Sequence, residues 1–404
     1  MRSLFVTWDG PGSNYHESLF LPILDRARRP GDVVHLMQYA WESDARSATV
    51  AAAAARLGMP YTARGVWRRP ALPATAAMVA RGTADIARYA WRHRIDVLFP
   101  RSIVPAAMAL GALRVLPAAR LLYDADGLVA DERADFGGWS RGGRAYRAFT
   151  AVERAAVRRA DVLLVRSEAA RDVLASRAGD ASVPDRTVVV TNGKDEALFS
   201  PGIAASRAAT RARLGIAPEA PVVLFAGSMG TPYNPDRMVA FFEAVRQRRP
   251  ESVLVLLTGS PDEAAALAAA HRLPETSVRV RHAAPDEVPV LLAAADVGLG
   301  FYAPALSMQA RAPIKVGEYL LCGLPALCTR GVGDVDRQLE GDVGRLLPDL
   351  SDETLAAAAA WAVEDLLPAR DVYRTRCRDR GLALFTLGRS ARLYREAFDR
   401  LDAR

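Results

Sequence analysis

Ala303–Asp334 reads APALSMQARAPIKVGEYLLCGLPALCTRGVGD. Pro313 stands where a helix can begin, because the first turn has no use for a proline N–H. Ile314–Cys322 carries the helix onward, Gly323 and Pro325 end it, and Ala326–Cys328 is a short apolar run of the kind that forms a buried strand. The same rhythm extends in both directions. Towards the N-terminus of this half the expected strands are Val222–Ala226, Val253–Leu257, Ser277–Val280 and Val297–Leu299. Helix candidates between them are Pro235–Arg248, Asp262–Ala270 and Asp286–Ala293. Short apolar runs alternating with amphipathic segments predict βαβ units around a parallel sheet.

The first half of the chain repeats the pattern with Leu4–Trp8, Val33–Met37, Val97–Phe99, Leu121–Tyr123, Val162–Val165 and Thr187–Val190, separated by helix candidates such as His16–Arg28, Ala74–Arg92 and Ala145–Arg159. Ser200–Pro221 is rich in Ala, Arg and Pro, has no apolar run, and reads as a linker. Asp352–Leu366, Asp371–Gly381 and Ser390–Leu401 read as helices. The expectation is an N-terminal Rossmann-like domain over 1–199, a linker over 200–220, a second Rossmann-like domain over 221–385, and a C-terminal helix over 386–404 that packs back towards the first domain. Two such halves imply a cleft, with functional residues at the carboxyl ends of the strands.

The 404 residues suit two domains, and the net charge of +7 suits acidic partners such as nucleotides or sugar phosphates. Of the 53 basic residues, 51 are arginine; the two lysines are Lys194 and Lys315. Where arginine is the habit, a lysine can mark a place that wants a compact ammonium rather than a planar fork. Three cysteines give no disulfide framework or metal spacing. With no leader and no apolar stretch of membrane-spanning length, the expectation is a cytoplasmic protein. The arginine-rich segment 141–159 can present a basic face to the inner surface of a membrane, although a solvated helix face is the preferred reading. The basic residues are scattered and match no nucleic-acid module, so no nucleic-acid partner is expected.

Lys315 falls in the first turn of its helix, where a cation opposes the helix dipole unless an anion docks there. Glu318 follows at i+3 on the same face. Spacing alone favours an exposed Lys315–Glu318 ion pair over a binding site.

PIKVGEYLLCGLPALCTRGVGD resembles the donor-site helix of glycosyltransferase family 4. The resemblance continues, in order, through Gly10–Leu19, Tyr123–Glu132, Val165–Leu174, Val188–Pro201, Val222–Gly230, Leu291–Tyr302 and Asp342–Pro348. It implies the GT-B fold, two facing Rossmann-like domains, and a retaining, metal-independent transfer of a hexose-type sugar. The donor would be a nucleotide-diphosphate sugar, with no cofactor. The acceptor would be a hydroxyl group, lipid-linked in the setting of surface-polysaccharide or glycolipid assembly. Glycosylation of a secondary metabolite, a non-catalytic scaffold subunit and a sugar-nucleotide epimerase are the alternatives.

On that resemblance the diphosphate meets Lys315 and the ribose meets Glu318. The strand-end residues Gly227, Ser228, Thr258 and Gly259, with Ser307 and Met308 before the helix, line the donor. Gly12 and Ser13 form the loop after the first strand, and Asp126 and His16 face the acceptor. Two departures stand out. Ala310 occupies the place of the family's first glutamate, and SMGTPYNP (Ser228–Pro235) lacks the usual basic pair. This chain resembles a bacterial subset with Pro-x-Lys-x-x-Glu-Tyr and without that glutamate. Arg237 or Arg311 is therefore expected to share the phosphate charge with Lys315. Asp124-Ala-Asp126 spells a metal-binding pattern but sits in the wrong half for a donor, so no metal is expected there.

Overall fold

The structure, a computed structural model, describes residues 1–10, 14–41, 44–200 and 207–403. It divides into two α/β units. Unit 1 comprises Met1–Thr191, Gln309–Arg311 and Gly388–Arg404; unit 2 comprises Asn192–Met308 and Ala312–Leu387.

Unit 1 is built on seven strands: β1 (Arg2–Asp9), β2 (Val33–Ala40), β3 (Tyr61–Gly65), β4 (Val97–Pro100), β5 (Arg120–Asp124), β6 (Val162–Val165) and β7 (Thr187–Val189). They lie in the order β3-β2-β1-β4-β5-β6-β7, and their pairings are parallel. A sheet covered by helices on both faces wants apolar side chains at every position. Val162–Val165, VLLV, is accordingly buried throughout. The helix Ala71–His93 buries Met78, Gly82, Ile86 and Ala90, a stripe at four-residue spacing. Its C-cap Arg94 turns left-handed (φ 52°) to close the last turn.

The last helix, Leu387–Asp402, joins unit 1 from Gly388 onward and buries Tyr394, Phe398 and Leu401 on one face. Phe398 meets Phe99 of β4 edge-to-face at 6.2 Å.

Unit 2 contains β8 (Val222–Ala226), β9 (Val253–Leu257), β10 (Val278–Arg281), β11 (Val297–Gly300), β12 (Ala326–Thr329) and β13 (Gly344–Leu347). Their order is β10-β9-β8-β11-β12-β13 and their pairings are again parallel. Phe225, Phe241, Phe242, Leu254, Leu299 and Phe301 centre its core. Renumbered within each unit, both sheets begin 3-2-1-4-5-6, the doubly wound order. The order reverses between β1 and β4 in unit 1 and between β8 and β11 in unit 2. Those two switch points are where such folds bind ligands.

The segment expected as a linker is, from Arg207 on, a packed part of unit 2. Helix Arg207–Arg213 begins there, and Arg211 is only 2% exposed. Arg207 and Arg211 both pair with buried Asp296, at 2.6 and 2.8 Å. A buried aspartate needs such partners, which is why an Arg-rich stretch without a strand is nevertheless ordered. Residues 192–199, expected in the first domain, belong to unit 2 because Asn192 and Lys194 bond to the Lys315 helix and its approach. Among the described residues, no helix is long and apolar enough to cross a membrane.

Candidate functional site

At the switch point of unit 2, β8 ends in Gly227 and β11 runs out into Phe301 and Tyr302. The helix Ile314–Leu321 starts there with Pro313 as N-cap and no side chain capping its free N–H groups. Tyr319 anchors it: its hydroxyl accepts from the Ala226 N–H at 3.0 Å and donates to the Leu299 carbonyl at 3.3 Å. The end of this helix packs so closely on Arg370–Leu384 that a Cβ on Gly381 would lie 2.6 Å from the Leu321 nitrogen.

This anchoring aims Lys315 inward. The residue is 8% exposed, and among the described residues Nζ has no hydrogen-bond partner. Three rings surround it: Phe225 at 3.9 Å, Tyr233 at 4.6 Å and Tyr302 at 5.6 Å from Nζ to ring centroid. Aromatic faces attract a cation but replace only part of its hydration. Burial consequently lowers the ammonium's pKa from 10.5 to about 7. Neighbouring Cys328, whose thiol burial pushes up to about 12, stays neutral. A buried ammonium without a partner among the described residues, beside an uncapped helix start, has the chemistry to receive an anion.

Gly227 makes room for it. Its φ is +142°, and a Cβ there would fall 2.8 Å from Lys315 Nζ. Gly227→Ala is therefore expected to weaken binding of inorganic pyrophosphate at least about tenfold, measured by calorimetry, and also to lower the melting temperature, because alanine is strained at that φ. Unchanged binding would remove Gly227 from the site. Gly227 N–H bonds to the Leu257 carbonyl at 2.9 Å, so Thr258 and Gly259, which follow β9, lie beside it. Thr258 is buried and accepts from the Ser260 N–H, whereas Ser228 is exposed. Ser307 and Met308 sit in the 3-10 turn Leu306–Ala310 before the helix, both buried.

Glu318 does not pair with Lys315. Its Oε1 lies 3.0 Å from Nζ of Lys194, a residue the sequence showed only as the chain's other lysine. Arg237's guanidinium donates to the Leu350 carbonyl at 2.8 Å and to Asp352 at 2.6 Å. Arg311 likewise pairs with Glu132 at 2.6 Å. Ala310, in the place of a family glutamate, is buried at 1% exposure.

Unit 1 gathers polar residues at the carboxyl ends of β4, β5 and β6. Asp124, the last residue of β5, is fully buried and accepts from Arg101 at 2.9 Å and Arg166 at 2.5 Å. Arg166 also donates to the Tyr394 hydroxyl at 3.0 Å. Asp126 pairs with Arg101 yet keeps 39% of its side chain exposed. Its φ is +61°, a left-handed conformation steadied by its N–H bonding to Asp124 Oδ1 at 3.0 Å. Ser102, after β4, is also left-handed at φ 70°. Non-glycine residues in that region cost of order 1–3 kcal/mol and cluster at functional sites. Neither angle is legible in the sequence.

His16 is 1% exposed, its Nε2 3.1 Å from Thr7 Oγ1 and its Nδ1 3.8 Å from Asp9. Burial lowers its pKa. Gly12 and Ser13 lie outside the described residues. Among the described residues, no three His, Cys, Asp or Glu side chains are grouped to hold a metal.

Residues 220–365 match the family model described as Glycosyl transferases group 1. A D-inositol 3-phosphate glycosyltransferase of Jonesia denitrificans is 29% identical over 192 residues, 46% of this chain and 45% of that protein. An alpha-maltose-1-phosphate synthase of Mycolicibacterium smegmatis is 33% identical over 120 residues, 30% of each. The chain thus spans less than half the length of these two relatives. Among solved structures, Anabaena Alr3699/HepE in complex with UDP and glucose superposes over the whole of both chains with a TM-score of 0.69 at 18% identity. The fold is therefore that of a GT-B protein, two parallel-sheet Rossmann-like units, and across residues 220–365 the chain is similar to the Glycosyl transferases group 1 family.

Proposed function

We propose that the protein is a glycosyltransferase that takes a hexose-type sugar from a nucleoside-diphosphate donor, the diphosphate lying against Lys315 and the start of its helix. The observation that carries this reading is the buried ammonium at the switch point of unit 2, without a partner among the described residues. The match of residues 220–365 to glycosyl transferases supports it, as do the UDP and glucose named in the HepE structure.

Sugar transfer breaks the bond between the anomeric carbon and the diphosphate oxygen, and the bonding electrons leave on the diphosphate. Lys315 and the helix N–H groups stabilise that developing charge where water is excluded. Glu318 accepts hydrogen bonds from the ribose. On the retaining reading, the acceptor oxygen attacks from the face the diphosphate leaves and passes its proton to the departing phosphate oxygen. In unit 1, Asp126 is the exposed carboxylate that takes the acceptor hydroxyl. His16, held by Thr7 and almost wholly buried, has the smaller part. The acceptor belongs to surface-polysaccharide or glycolipid assembly, with contact at the inner membrane face.

Purified protein is to be heated with UDP-, GDP-, ADP- and dTDP-sugars. A ligand at about 100 times its dissociation constant stabilises by roughly 2.7 kcal/mol, so one nucleotide class is expected to raise the melting temperature by several degrees. No shift with any donor, together with no binding of pyrophosphate, would sink the reading. A second reading, a non-catalytic scaffold, draws on Ala310 standing where a glutamate is expected. Slow hydrolysis of the stabilising donor by the purified protein would dismiss it.

A further inference from the structure

We propose that Lys194 is a positioning residue: it holds Glu318 by one carboxylate oxygen and leaves the other for a vicinal diol, so that the site selects ribonucleotides over their 2′-deoxy counterparts. The inference rests on the Lys315 site being a nucleoside-diphosphate site.

Lys194 is fixed before its side chain is considered. Its N–H bonds to the Phe385 carbonyl at 2.9 Å and its own carbonyl accepts from Leu387 at 2.8 Å, a one-residue parallel bridge opposite Thr386. Its stem runs beside Phe199, with Nζ 5.7 Å from the ring centroid. Arg378 holds the same segment to the end of the Lys315 helix by donating to the carbonyls of Glu196, Phe199 and Leu321. From this base Nζ reaches Oε1 of Glu318 at 3.0 Å, both side chains largely buried at 10% and 14% exposure. Among the described residues, Glu318 has no second hydrogen-bond donor on its carboxylate.

The choice of lysine carries the argument. Nearly every other cation in the chain is arginine. An arginine here would grip both carboxylate oxygens in a fork. A lysine takes one, pins the carboxylate's rotation, and leaves Oε2 with lone pairs for two neighbouring hydroxyls. Glu318 lies three residues beyond Lys315, roughly 4.5 Å along the helix axis on the same face. A ribose joined to a diphosphate at Lys315 brings its hydroxyls to that height.

The test is calorimetry on the full chain and on Lys194→Met, Lys194→Arg and Glu318→Gln, using UDP, dUDP and inorganic pyrophosphate, with the GDP and ADP pairs run alongside. Wild type is expected to bind a ribonucleotide about tenfold or more tighter than its 2′-deoxy form. Lys194→Met and Lys194→Arg should each lose about tenfold for the ribonucleotide and bring the ratio close to one, with pyrophosphate binding unchanged. A ratio that stays at the wild-type value in both variants overturns the proposal. Equal losses for nucleotide and pyrophosphate overturn it too, because they mark a structural role. Wild type that binds pyrophosphate and nucleotide without preferring ribose removes the diol role and leaves the diphosphate site standing. Wild type that binds none of the probes removes both. If Lys194→Met melts early, Lys194→Arg keeps the charge and decides the matter.

Discussion

Lys315→Met is expected to lower sugar transfer about 10²–10³-fold, the usual cost of losing one donor to a developing charge, while raising the melting temperature at pH 6–7. The two effects have one cause. A buried ammonium, with rings but no hydrogen-bond acceptor around it among the described residues, is a cost to the folded state while no anion is bound. The fall of its pKa from 10.5 to about 7 puts that cost on the order of 5 kcal/mol. Methionine fills similar volume and needs no solvation. Lys315→Ala should lose as much activity but gain less stability, because it leaves a cavity. Turnover unchanged in both variants would remove Lys315 from the chemistry; a melting point unchanged in Lys315→Met would mean the ammonium is already solvated.

The same ammonium gives a pH dependence with opposite signs for stability and binding. Between pH 7 and 10.5 the unfolded chain carries a proton on Lys315 that the folded chain lacks, so stability contributed here rises with pH across that window. The penalty is fully present below 7. Anion affinity runs the other way: above pH 7 the empty site is mostly neutral and binding must take up a proton. Affinity for UDP or pyrophosphate should therefore fall, at the limit roughly tenfold per pH unit, between pH 7.5 and 9.5. Titrations in two buffers of different ionisation enthalpy would count the proton. Lys315→Met should be flat over that range.

The central strands were readable because buried parallel strands leave short, β-branched apolar runs. Val162–Val165, Val222–Ala226 and Val253–Leu257 have the bounds expected of them. The edge strands Tyr61–Gly65 and Gly344–Leu347 were not readable, because one open side lets Arg and Thr into them. Lys315 was legible because helix electrostatics are local: a cation in a first turn is an anomaly visible in a few residues. Lys194, Arg237 and Arg211 were not, because their partners lie far away in sequence and are chosen by tertiary packing. Arg237 stands near the loop where a phosphate ligand was sought, yet a free carbonyl at Leu350 and the carboxylate of Asp352 hold it. Asp124 had a metal-binding pattern written around it, and the structure surrounds it with two guanidinium groups instead.

Those guanidinium groups make Asp124→Ala the substitution expected to destabilise the fold most. Asp124 is 0% exposed and Arg166 4%. Removing the carboxylate strands Arg166 between the Tyr394 hydroxyl and apolar neighbours and leaves Arg101 with Asp126 alone. Breaking a buried pair in this way costs about 3–5 kcal/mol, most of it the price of an uncompensated charge. The unfolding transition of unit 1 should fall by roughly 10 °C. Asp126→Ala is the contrasting case. Its ion pair is partly solvated and worth about 1 kcal/mol or less, and alanine gains nothing from the left-handed backbone. Melting should hardly move in Asp126→Ala while transfer to the acceptor falls. Asp124→Ala should impair both, since Asp126 N–H then loses its acceptor and the turn can relax. Equal, small melting shifts for the two variants would mean that water reaches the arginines, and that this end of the sheet is not the rigid platform an acceptor site requires.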